Sequence, residues 1–373
     1  MRRLWSCVAA SLVGLSLAAC VPSFPGGSTL TASPSGTLVT LVWPAASPED
    51  DGQTITSYRI DVDGVQVAGV PAPVLTCSLT GLRAGSHIVS VTAYDSAGEW
   101  SGSASQDGTL NATVTPAVPA PSSAPYRCAN IVDPFTSSTP WRDMVNYYRT
   151  TAGIAPVTAN AAWVAGLQNH FLYLANTPPA LRQGQYANAH TENPASPWYT
   201  VDGEAAGRSS NLGSDAGSDR ANIERWMRAP FHAIGILRPG LSQSAYAAGS
   251  GHTGIDVIRG LNPGTAPKPV LFPAQGSITT LKSFGGENPN PLESCPGYGA
   301  SAGLPIVAML PSPPTQETSA TLTLPSGSLL SDPGSICVVT AATYFSSDLV
   351  YGPTGRSILQ GANAVLIIPK APL

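Results

Sequence analysis

The sequence predicts a multidomain protein that is all-β at its N-terminal end, mixed helix and strand in the middle, and β-rich at its C-terminal end. Three observations carry this reading. A chain of 373 residues exceeds the size at which one hydrophobic core keeps growing. Apolar residues alternate with period two up to about Thr115, then recur at three- and four-residue spacing from Trp141 to Arg228, and finally return to short apolar runs. A tract rich in Pro, Ala and Ser, Ala117 to Pro125, separates the first pattern from the second and has the composition of an extended linker.

Composition narrows the class. Charged residues make up only 11%, with 37 Gly and 36 Pro, yet 43% of residues are apolar and seven are Trp. Disordered chains lack that apolar content, so packed, loop-rich domains are expected. A net charge of −4 without a basic stripe excludes nucleic acid as a partner.

Arg2 and Arg3 precede an apolar run from Val8 to Ala19, too short to span a bilayer and suited to a secretory signal. Leu17-Ala18-Ala19-Cys20 resembles the lipobox of bacterial lipoproteins, which implies cleavage after residue 19 and lipid attachment at Cys20. The expected protein is therefore exported and lipid-anchored in the cell envelope, with the membrane a partner through its N-terminal lipid. Val21 does not match the aspartate associated with inner-membrane retention, so the outer membrane is expected if the host has two. Residues 20–27 then form a Pro/Gly/Ser tether.

Runs at Thr37 to Trp43, Ser57 to Asp63, Val74 to Leu79 and His87 to Tyr94 alternate apolar and polar residues between turn signals, as in a β-sandwich. Trp43, Tyr58, Thr80 to Leu82 and the run V-T-A-Y-D-S-A-G-E-W-S resemble a fibronectin type III domain over residues 28–115. That family carries a tyrosine near the position of His87, which implies that its corner hydrogen bond is absent or made differently here. The resemblance implies a spacer or adhesion module. Residues 116–127 are read as the linker.

Beyond the linker, Thr139 and Pro140 precede a helix whose Trp141, Met144, Val145 and Tyr148 share a face, ended by Gly153. A second helix follows Asn160, with Val164, Leu167, Phe171 and Leu174 on one face. A third runs from about Ser218 to Arg228. Ala189 to Leu237 gathers His190, Glu192, Glu204 and His232 around Gly-rich loops, and imidazole both titrates near neutrality and ligates metals. If the fold brings His190 and His232 together, they form a site.

Trp226, Met227, Pro230, His232, Ile236 and Leu237 match W-M-x-S-P-x-H-R-x-x-I-L, a segment of bacterial members of the CAP superfamily of cysteine-rich secretory, antigen 5 and pathogenesis-related proteins. The resemblance covers roughly Cys128 to Asn262 and implies an α-β-α sandwich over residues 128–276, with His190 and His232 as the cleft histidines. The family's cleft glutamates do not carry over: Ser210 stands at the first, within Ser209-Ser210-Asn211-Leu212, and Ala229 at the second. Glu192, two residues beyond His190, shares its face if the segment is extended, or caps a turn before Pro194. Glu204 either joins the cleft or is solvated. His170 is expected to pack or reach solvent from its helix, and Asp202 and Glu224 to be surface charges.

Residues 277–373 contain I-V-A-M-L, A-T-L-T-L, S-I-C-V-V-T-A-A and A-V-L-I-I-P, read as a small β-sandwich appendage for support or partner contact. Cys295 and Cys337 both fall there and are the favoured disulfide. Cys77 is left to pair with Cys128 or to stay free and buried.

The cleft residues His190, Glu192, Glu204, Ser210 and His232 point to a binding protein for a small or lipid-like ligand or a surface protein. One alternative is a metal-dependent hydrolase using His190 and His232; the other places the work in the β modules. Zinc catalysis wants three protein ligands and a general base, and only two ligands are in view. No catalytic residue is assigned, no cofactor is required, and any metal is expected to be a weakly held divalent cation such as zinc. The chain has no phosphate-cradling Gly loop or C-x-x-C pair.

Overall fold

The computed structural model describes residues 21–48, 53–72, 74–95, 101, 109–120, 126–129, 133, 135, 139–265, 269–274, 279–299, 302–315, 317–323 and 329–372. The expected leader and Cys20 lie outside the described residues. Within them, no helix is long and apolar enough to cross a membrane. The chain divides into two compact units, Met1–Ile131 and Val132–Leu373.

The first unit is built from eight strands: β1 (Thr31–Ser35), β2 (Leu38–Val42), β3 (Ile55–Val62), β4 (Val65–Pro71), β5 (Thr76–Thr80), β6 (His87–Asp95), β7 (Thr109–Val114) and β8 (Arg127–Cys128). They form two antiparallel sheets, ordered β1-β2-β5-β8 and β4-β3-β6-β7. The period-two pattern explains their faces: Val39 and Leu41 of β2, Cys77 and Leu79 of β5, and Val89, Val91 and Ala93 of β6 are buried. Trp43 meets Tyr58 edge-on at 5.5 Å, and the Tyr58 hydroxyl accepts from the Ala46 N–H at 3.1 Å. His87 is structural, its Nδ1 2.7 Å from Asp63 Oδ2 and its Nε2 3.2 Å from the Arg83 carbonyl.

The expected linker is not free over its described length. Val118 and Ala120 donate to the Gly36 and Leu82 carbonyls, β8 pairs with β5, and a disulfide joins Cys77 to Cys128. Composition signals a Pro-rich tract but not the sheet edge that receives it.

In the second unit, α1 (Trp141–Thr151) and β9 (Thr158–Ala159) precede α2 (Val164–Asn176). The stretch expected as a Gly-rich loop then holds a further helix, α3 (Val201–Ser209), whose first turn is capped by the Thr200 side chain accepting from the Gly203 N–H. Next come β10 (Ser210–Ser214), α4 (Asp219–Met227), α5 (Pro230–Ile236), β11 (Gln243–Ser244), β12 (Tyr246–Gly249) and β13 (His252–Asp256). The sheet β10-β13-β12 has different partners on its two faces. Ala247 joins Leu167, Phe171 and Ala206 of α2 and α3, whereas Tyr246 and Ile255 join Met144, Ile223 and Trp226 of α1 and α4. Arg149 of α1 is fully buried and donates to the carbonyls of Ala155, Ile236, Arg238 and Leu241, which ties α1 to the C-terminal end of α5.

The C-terminal region is not a separate β-sandwich. β14 (Val270–Phe272), β15 (Ile306–Met309), β18 (Ile336–Val339) and β19 (Ala364–Pro369) form one sheet ordered β14-β15-β19-β18, with a two-stranded ribbon of β16 (Leu322–Thr323) and β17 (Leu329–Leu330) beside it in sequence. Helix α6 (Gly352–Gly361) leads into β19. The sheet thus recruits Val270 to Phe272, which were assigned to the preceding domain, and its Phe272, Val307, Met309 and Leu366 share one buried cluster with Tyr148, Trp226 and Phe231. Cys295 and Cys337 are disulfide-bonded beside it. A continuous core of this kind leaves no boundary at residue 276.

Candidate functional site

His232 stands in the first turn of α5. Pro230 begins that helix, where its missing N–H costs nothing, but Ala229 at the N-cap offers no side-chain acceptor. The exposed donors go instead to Glu287, which accepts from the Phe231 N–H at 3.1 Å and the His232 N–H at 3.3 Å. The same carboxylate lies 2.7 Å from His232 Nδ1, and its side chain is fully buried. A carboxylate can only accept, so Nδ1 carries the proton and Nε2 of neutral His232 keeps its lone pair.

His190 is set the same way from another direction. Its Nδ1 donates to the Gly207 carbonyl of α3 at 2.9 Å, its backbone N–H donates to Asn188 Oδ1, and its ring meets Tyr351 edge-on at 6.3 Å. The Tyr351 hydroxyl also accepts from the Ala189 N–H at 2.7 Å. Burial pushes the His190 imidazole below its ordinary value; the Gly207 carbonyl opposes this, and the nearby His232 and His170 rings reinforce it.

Both histidines line one cleft of 340 Å³ together with Glu287, Arg182, Arg225 and His252. A neighbouring basin of 390 Å³ shares His190, His232, Asn288 and Tyr351 and is walled by Phe231, Val257, Ile258, Pro289, Val350 and Ile358. The result is two depressions meeting at the two imidazoles, the second with more apolar side chains in its wall although it too is lined by two arginines, Arg208 and Arg238.

Other sequence-predicted positions fall elsewhere. Glu192 does not partner His190. The segment after His190 is a run of turns, so alternation of faces does not apply, and Glu192 is buried with Oε1 2.8 Å from Nδ1 of the equally buried His170. The His170 Nε2 sits 2.8 Å from the Ala189 carbonyl, and Glu192 Oε2 accepts from the Thr200 N–H. Glu204 accepts from the Glu192 N–H and pairs with Arg208, which places it behind the loop and not in the cleft. Ser210 lines the apolar basin with a buried hydroxyl that has no hydrogen-bond partner among the described residues. Asp202 is exposed, and Glu224 pairs with Arg220.

Among the described residues no group of three or more His, Cys, Asp or Glu side chains is arranged to hold a metal ion. Two imidazoles beside two guanidinium groups do not fit a tight cation site.

This geometry sits within a recognisable domain. Residues 142–258 match the family model described as the cysteine-rich secretory protein family, CAP, so this part of the chain is a CAP domain. One solved structure, described as the 1.5 Angstrom crystal structure of an extracellular protein containing a SCP domain from Bacillus anthracis str. Ames, is similar at 8% identity. It covers 64% of this chain and 88% of that one with a TM-score of 0.25, too low to carry an argument. A search of curated proteins finds no match.

Proposed function

We propose that the protein is an exported, lipid-anchored envelope protein whose CAP domain binds a ligand in the cleft between His190 and His232, without strong catalysis. The observation that carries this reading is the pair of imidazoles lining one cleft, each held through Nδ1 and each with Nε2 free of hydrogen-bond partners among the described residues. Lipid attachment at Cys20 is supported by the Leu17-Ala18-Ala19-Cys20 sequence. Export is supported by two disulfides, which persist in oxidising compartments. Residues 28–115 serve as a fibronectin type III-like spacer, a reading whose architecture is supported by the strand orders β1-β2-β5 and β4-β3-β6-β7.

The test is mass spectrometry of material purified with the full chain from its native envelope. A small molecule retained by the wild type and lost from a folded His232→Ala variant is expected, with a diacylglyceryl mass on Cys20. Equal retention by His232→Ala, or no retained molecule, would reject the cleft as the working part.

One observation favours metal-dependent hydrolysis: Glu287 accepts from Nδ1 of His232 and so orients its ring, as carboxylates do behind zinc-bound histidines. Calorimetric titration with Zn²⁺ decides this. A one-site isotherm abolished by His232→Ala would support it, and a flat trace removes it.

A further inference from the structure

The nitrogen-rich cleft has a marked imbalance between donors and acceptors. Among the described residues Glu287 is the one carboxylate that lines it, and both oxygens are already engaged by the N–H groups of Phe231 and His232 and by the His232 ring. Arg182 and Arg225 line the same cleft, and among the described residues neither has a carboxylate within ion-pair distance. Each is held by a neutral acceptor. Arg182 Nη1 donates to the Leu174 carbonyl at 2.8 Å, and Arg225 Nη2 to Asn222 Oδ1 at 3.3 Å. Trp226 lines the cleft and is only 2% exposed; its indole N–H is itself buried and has no partner among the described residues.

The backbone makes room for this arrangement. Gly213 of β10 lies under the Arg225 guanidinium, and a Cβ there would come within 2.8 Å of Nη2. His252 completes the wall, its ring held below the ordinary value by burial first and then by the fields of His170 and Arg182. In a chain of net charge −4 the cleft lining therefore carries two guanidiniums against the one carboxylate of Glu287, with the field of Asp215 reaching Arg225 from outside the lining.

We infer that this cleft takes an oxyanion, a carboxylate or phosphate group of the ligand, held by Arg182 and Arg225. The inference rests on the binding reading above and adds the ligand's chemical class. Guanidinium groups match carboxylate and phosphate oxygens in a planar fork, and hydrogen bonds between charged partners are stronger than neutral ones. A cationic ligand would meet two guanidiniums and no free carboxylate.

The test is calorimetric titration of the full chain with inorganic phosphate and, separately, acetate, at ionic strength held constant with chloride. The Trp226 indole N–H resonance is followed in parallel. Saturable binding of at least one anion with a shift of that resonance is expected. Phosphate alone identifies a phosphate ester as the source, and acetate alone a carboxylate. Arg182→Gln and Arg225→Gln should each weaken binding by at least about tenfold. Arg225→Lys should keep part of it, and Lys282→Gln, altering an exposed side chain that lines neither depression, should leave it unchanged. Far-UV circular dichroism and melting temperature establish that each variant is folded. No saturation by either anion, or wild-type affinity in both Gln variants, overturns the inference. If the ligand purified from the envelope is lost in His232→Ala but retained in both Arg variants, the cleft reading stands and the oxyanion falls.

Discussion

At the scale of single residues, Glu287 does two things that are inseparable in the fold: it terminates α5 and it fixes the His232 tautomer. Replacing it with Ala leaves two backbone N–H groups and one imidazole N–H without their acceptor. Since each unsatisfied buried donor costs about 1–3 kcal/mol, Glu287→Ala should lose at least about 2 kcal/mol in urea unfolding, with Glu287→Gln intermediate. An unchanged urea midpoint would show that solvent replaces the carboxylate. His190 gives the pH dependence. Its folded value lies below the ordinary 6.5, so near that pH the unfolded chain binds the proton more readily. Its contribution to stability is present above 6.5 and declines as pH falls from there through the depressed folded value. The His190 ring should titrate below 6.5 by NMR, and a midpoint above 6.5 would contradict burial as the dominant cause. His190 and His232 were legible in the sequence because each stands beside a recognisable helix or motif. Glu287 was not: it lies 55 residues beyond His232 in an aperiodic loop, F-G-G-E-N, and only the fold brings it back. Arg182 and Tyr351 were missed for the same reason, although the Tyr351-Gly352-Pro353 turn carries the signal of a helix start, whereas Arg225 and His252 stand in α4 and β13, where periodicity marks the element and not the cleft it lines.

At the scale of elements, the contact of α2 with α3 holds the cleft in shape. Gly203 and Gly207, four residues apart, share one face of α3; a Cβ on Gly203 would collide with Glu192 and Thr200, and one on Gly207 with the His170 ring. Gly166 makes the reciprocal approach from α2, where a Cβ would sit 2.7 Å from the Asp202 carbonyl. These glycines admit a buried His170–Glu192 pair between helices that would otherwise stand farther apart. Gly207→Ala should therefore destabilise by about 1–3 kcal/mol, the range for overpacking a filled core, despite the higher helix propensity of Ala. It should also disturb His190, whose Nδ1 bonds the carbonyl of that residue. A melting temperature equal to or above that of the wild type would show that His170 can move aside. Sequence spacing identified α1, α2 and α4 because each has an apolar stripe. It missed α3, whose V-D-G-E-A-A-G-R-S has almost none, and α6, whose G-P-T-G-R-S-I-L-Q-G includes three glycines and a proline. Both helices are fixed by tertiary contact more than by propensity.

At the scale of the molecule, the C-terminal region is part of the body that carries the site. Its strands extend the buried cluster of the CAP domain, and it supplies Glu287 and Tyr351 to the cleft. Low charge and short apolar runs made it look like an appendage, because periodicity reports how a segment is buried and not against what. A fragment of residues 132–276 would expose Val270, Phe272 and Phe231, leave β14 without its partner β15, and remove the acceptor that caps α5. Each buried aromatic or aliphatic side chain is worth about 1.5–3 kcal/mol, so several such losses approach the whole stability of a typical domain. That fragment should be aggregated or unfolded at room temperature by circular dichroism and size-exclusion chromatography. A fragment of residues 132–373 should melt cooperatively, since the chain separates at that point into a self-contained unit. If 132–276 melts as sharply as 132–373, the shared core adds little, and Glu287 and Tyr351 become late additions to a cleft that stands without them.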